Sequence, residues 1–133
     1  MKSLLTLLLI ITSTLNAKDI STNDIKQLFQ GEKVFMETNM EQMRNVSFST
    51  NSEFHDAKAK LKAFLGNNWE EQKMDKKVKQ EVDNGLASSG QKFNGMIIFN
   101  KKDQPTNMIT ISHMNMKMEG KKYLLQIMIM NSK

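Results

Sequence analysis

The stretch NMITISHMNMKM (107–118), EG (119–120) and KKYLLQIMIM (121–130) decides how this chain is read. Apolar residues recur at every second position on both sides of Glu119-Gly120. A period of two is the signature of a strand with one buried face, and a short Gly-containing break between two such runs marks a hairpin. Asn107 to Met118 and Lys122 to Met130 are therefore expected to pair antiparallel.

Two registers are open to this hairpin. A two-residue loop at Glu119-Gly120 sets Met116 opposite Tyr123 and Met114 opposite Leu125. The methionines then share the core face with Ile127 and Ile129, as soft fillers of irregular space. The other face then carries Ile109, Ile111, His113, Asn115 and Lys117 with Leu124, Gln126, Met128 and Met130, and is expected to be covered by the N-terminal helices, with a partly open groove or dimer surface as the alternative. A three-residue loop moves every side chain of one strand to the other face. It sets Met114 to Met118 beside Leu124, Gln126, Met128 and Met130 instead.

Upstream, Met96 to Phe99 is a compact apolar run, and Lys101 to Thr106 is a polar loop with the single proline, Pro105. These add a third antiparallel strand. Further upstream, Asp75 caps a polar helix with Val78, Val82 and Leu86 inward, ending in the Gly/Ser-rich break from Gly85 to Gly90. Trp69 to Lys73 reads as a short strand after a turn at Asn67-Asn68. Phe54, Ala57, Leu61, Phe64 and Leu65 keep the spacing of an amphipathic helix, with Ser52 or Thr50 to open it and Gly66 to close it. Val46 to Thr50 alternates as a strand.

The segment 18–45 reads as helical. Ser21, Thr22 or Asn23 caps a first helix carrying Ile25, Leu28 and Phe29. Gly31 interrupts it, and Phe35, Met36, Met40 and Met43 keep helical spacing beyond; a strand at Val34 to Glu37 is the alternative. The expected fold is thus α+β: an N-terminal helical segment, then β-α-β-α, then a three-stranded antiparallel meander, with helices packed on one face of the sheet.

Residues 1–17 read as a cleavable export signal. Lys2 gives the positive start, and Leu4 to Leu15 an apolar stretch of about 12 residues, too short for a membrane span. Ala17 precedes the expected cut. The expectation is one domain over 18–133, helical over 18–45 and sheet-containing over 46–133, placed in the periplasm or the medium of a bacterium. The chain has no cysteine, so disulfides, thiolate metal sites and lipid attachment at cysteine are excluded. No other stretch is long and apolar enough to span a membrane.

Removing 1–17 takes Lys2 with it and leaves a net charge of about +4. Arg44 is the only arginine, and the lysines are scattered. Phosphate recognition favours the forked guanidinium, so nucleic acid is not an expected partner.

Parts for catalysis are few. His55 and His113 are the only imidazoles. Ser88 and Ser89 lack the turn that exposes a nucleophile. Glu70 and Glu71 would face opposite sides of a strand. No zinc spacing or phosphate-binding glycine loop occurs. No catalytic residue and no cofactor is assigned, and the chain is read as a non-enzyme. Trp69 is expected to pack against the Phe54 helix.

The sharpest chemical feature is Met114, Met116 and Met118. Thioethers are soft donors for Cu(I) and Ag(I), and three at alternate strand positions share a face. Core packing is the reading favoured for them, and a methionine-rich binding surface and a Cu(I)/Ag(I) site are the alternatives. The expected function is an exported binding module for a protein or peptide. A periplasmic Cu(I)/Ag(I)-binding protein is the alternative, and a small hydrolase, which no motif supports, is the third class.

Overall fold

Thr22–Leu28 forms the first helix, α1, because its start is fully capped. Ser21 Oγ accepts from the Asp24 N–H at 3.2 Å, and Asp24 Oδ2 accepts from the Ser21 N–H at 2.9 Å. Two orphan donors are satisfied reciprocally. In this computed structural model, which describes residues 20–72, 76–88 and 92–131, the chain then runs as strands β1 (Lys33–Asn39) and β2 (Met43–Thr50), helix α2 (Phe54–Leu65), a 3-10 turn (Gly66–Asn68), and strand β3 (Trp69–Gln72). Helix α3 (Lys76–Ser88) and strands β4 (Lys92–Lys101), β5 (Met108–Met118) and β6 (Lys121–Met130) complete it. The expected signal at 1–17 lies outside the described residues. So do Met74, the helix cap at Asp75, Ser89 and Gly90.

All six strands join one sheet in the order β1-β2-β6-β5-β4-β3, with every neighbour antiparallel. This corrects the expected β-α-β-α plus three-strand layout. The segment 18–45 is not helical throughout: past α1 it forms β1, a two-residue turn at Glu41-Gln42 and the start of β2. The Met40 N–H donates to the Met43 carbonyl at 2.9 Å across that turn. The physical reason is periodicity. Met36 and Met40 are four apart, which suits one helical face and equally one strand face.

The register of the β5–β6 hairpin chooses between the two that the sequence leaves open. Glu119 and Gly120 do form a two-residue turn, with φ of 51° and 81°, the positive pair a tight mirror-type hairpin needs. Met118 pairs with Lys121. The next pair, however, is Asn115 with Tyr123, because β5 carries one extra residue as a bulge. His113 therefore faces Leu125, and Met114 faces Leu124. The bulge has the same effect on pairing as a longer loop.

One face of the sheet is the core. Val46 and Phe48 of β2, Leu125, Ile127 and Ile129 of β6, Ile109 and Ile111 of β5, and Phe99 of β4 are buried there. Ile25 and Phe29 from the α1 region and Ala57, Leu61 and Leu65 of α2 complete the same cluster. The Phe29 and Phe48 rings meet at 5.5 Å. Each large side chain removed from water here stabilises the fold by about 1.5–3 kcal/mol. Trp69 is half-buried against the same cluster, and the Lys58–Glu71 pair, at 2.9 Å, ties α2 to β3. Helix α3 packs along β4. Among the described residues, no helix is long and apolar enough to cross a membrane.

Candidate functional site

The residues with catalytic potential come apart in the structure. His55 is exposed on the first turn of α2. Glu70 and Glu71 point to opposite sides of β3, and Glu71 is engaged by Lys58. Ser89 lies outside the described residues. Among the described residues no three histidine or carboxylate side chains gather as a metal site.

His113 is fully buried. Its Nε2 lies 2.8 Å from the Ser52 carbonyl, which can only accept, so the ring proton sits on Nε2. Nδ1 then accepts from the Asn94 side-chain amide at 2.9 Å. Asn94 reaches it because it is the extra residue of a bulge in β4, between Phe93 and Gly95. The same amide donates to Asn115 Oδ1 at 2.7 Å. The rings of Tyr123 (4.5 Å) and Phe54 (6.0 Å) close over the imidazole. Gly95 is needed beside it, since an added Cβ would collide with the Phe54 ring. Both ring nitrogens are committed, and no face is open to a substrate. The histidine pins β5 to the loop between β2 and α2. A nearby cleft, lined by Glu32, Ser52, Asp56 and Lys60 over Phe29 and Leu125, offers about 30 Å³, room for about one water and little else.

The sheet edges offer more. The β3 edge is four residues long, three of them polar: Glu70, Glu71 and Gln72. Such an edge is protected against pairing with another chain. The β1 edge is the opposite. It is seven residues long and pairs only with β2. Val34, Phe35, Met36 and, just past its end, Met40 are 39–58% exposed. Phe35 is the extra residue of a bulge. Lys26 holds Glu37 at 3.0 Å, and this bond to the ammonium keeps the Glu37 carboxyl below its usual range.

Behind that edge, on the face opposite the core, the sheet is lined with methionine. Met36, Met43, Met96, Met108, Met114, Met128 and Met130 all fall on this face by register. None belongs to the buried core cluster. Of the three residues expected as a metal set, Met114 is buried between Leu124 and Phe93 on the neighbouring strands, and Met116 is half-buried at the β5 bulge. The Met118 side chain lies outside what is described. The expected core face for Met114 is thus replaced by the opposite one. What sequence reading missed is the row Met43, Met130, Met108, three methionines from distant segments paired across β2, β6 and β5. Only strand order brings them together, and the helical reading of 36–43 concealed it.

Compared with known proteins, the chain matches no family model, no curated protein and no solved structure.

Proposed function

We propose that this chain is an exported, non-enzymatic binding module that accepts an extended apolar segment of a protein partner as an added strand along β1. The observation that supports it is the pairing of an open seven-residue edge with four of the six large exposed hydrophobic side chains among the described residues: Val34, Phe35, Met36 and, just past its end, Met40. An unpaired edge supplies main-chain hydrogen bonds, and side chains on either side of it supply specificity at alternate positions. Methionine suits such a surface, since its unbranched thioether adapts to differing partners. Apolar exposure concentrated on one edge is the mark of an interaction site rather than of random surface residues.

Selection of random dodecapeptides on the immobilised protein tests this reading. The expected winners alternate apolar and polar residues, and bound peptide perturbs backbone amides along 33–39. Val34→Lys and Met36→Lys, both at exposed positions, are expected to weaken binding at least tenfold, about 1.4 kcal/mol. Peptides whose effects map elsewhere, or that ignore both substitutions, overturn the reading. So does a concentration-dependent dimer that closes β1 on a second copy.

A further inference from the structure

The row of methionines at the β1–β2 turn end of the sheet carries a chemistry of its own. Met43 is paired with Met130, and Met130 with Met108, so three thioether side chains stand side by side on adjacent strands and on one face. Adjacent strands are about 4.8 Å apart, and cross-strand neighbours approach to about 4.5–5.5 Å. The three flexible side chains can therefore converge on one point above Met130. Met40 extends the row by one strand through its bond to Met43 across the turn. Met128, two residues back along β6, stands on the same face.

These residues are not gap-fillers. Met43, Met108 and Met128 are half-buried and Met130 is 38% exposed, at the rim of the sheet. Among the described residues, the buried cluster on the other face, where irregular space would have to be filled, contains no methionine. One row inward, Asn45 Oδ1 is buried and has no hydrogen-bond partner among the described residues. Asn45 is paired with Met128 and lies on the methionine face. A buried acceptor without a donor is costly, and a bound cation or its water would satisfy it.

We propose that Met43, Met130 and Met108 form a site for a monovalent soft ion of the Cu(I)/Ag(I) class, with Met40 and Met128 able to complete the ligand set. Neutral thioethers bind such ions because donor and ion are both polarisable. Hard divalent ions prefer oxygen donors, so calcium and magnesium are excluded from this site by its chemistry.

The test is a titration with silver nitrate of the chain expressed from its full sequence, purified in whatever N-terminal form the host leaves, with methionine methyl groups labelled for NMR. The methyl signals of Met43, Met108 and Met130 are expected to move together and to saturate at one ion per chain. Met130→Leu keeps the shape and removes the central sulfur, and it should weaken binding at least tenfold with unchanged circular dichroism. Met43→Leu should do the same, while Met114→Leu should leave affinity intact. Shifts confined to Met114, Met116 and Met118, shifts spread over every methionine without saturation, or no shift at all would each overturn the proposal.

Discussion

The two faces of this sheet are cut from the same strands and obey opposite rules. The core face is built of Val46, Phe48, Ile109, Ile111, Leu125, Ile127 and Ile129, all buried and mostly branched. Such residues have few rotamers and specify one packing. The other face takes mainly Met, Ser, Thr, Asn and Gln at the alternating positions, with Met43, Met128 and Met130 beside Ser47, Ser49 and Gln126, and with Phe93, Ile98 and Leu124 as its larger apolar residues. Most of its side chains are flexible or small. One face fixes the fold, and the other is free to adapt to a ligand. A two-residue period makes this separation possible, because every strand contributes to both.

The largest expected effect is on the core face. Phe48→Ala, at a fully buried position against Phe29, should cost about 3–5 kcal/mol in urea unfolding. Met108→Leu, on the other face, conserves volume at a half-buried site and should cost less than about 1.5 kcal/mol. Equal costs would break the comparison. Next comes the polar end of the core. Gly95→Ala forces the Phe54 ring to move, and overpacking of this kind costs about 1–3 kcal/mol. A neutral result would mean that Phe54 swings outward freely, so that the lid over His113 is looser than its ring contacts imply. Smaller still is Ser49→Ala. Ser49 is buried on the methionine face, and its Oγ has no hydrogen-bond partner among the described residues. Removing an unpaired hydroxyl should be neutral or stabilising. A loss above about 1 kcal/mol would show that a water or partner serves that hydroxyl in solution.

Much of this was legible beforehand in the places where one period dominates. The helix at Phe54–Leu65 and the alternation in 107–130 each have a single consistent spacing, and the structure has elements there. Residues 33–43 were not legible, because Met36 and Met40 satisfy both periods and only tertiary pairing chooses between them. The β5–β6 register was not legible either. Glu119-Gly120 correctly marks the turn, yet one bulge at 116–117 reverses which face Met114 occupies. His113 stays on the face of Ile109 and Ile111, which the helices cover, at the polar end of the core. Of the candidate sites, the methionine content was visible in composition, but its assembly across β2, β6 and β5 depends on strand order. No local spacing encodes that.

The mildest prediction sits at the margin between the two faces. The residue Leu124 turns to the methionine side, while Tyr123, just before it, belongs to the core face, its ring tilted against His113. Its hydroxyl donates to Glu53 Oε1 at 3.0 Å. That hydrogen bond, with desolvation and the carboxylate's charge, raises its pKa above the ordinary value of about 10. Ionising the phenol would remove the donor and set two negative charges together. The protonated form is thus favoured in the folded chain. Its contribution to stability is present below the unfolded value and is lost as pH rises through the higher folded value. Tyr123 is the only tyrosine, so the change in ultraviolet absorbance on phenol ionisation reports it alone. The native chain should titrate above the free phenol, and Glu53→Gln should bring the midpoint back down. A native midpoint at the free value would mean that the Glu53 contact does not persist in solution, and that the firm packing of the core face ends before this residue.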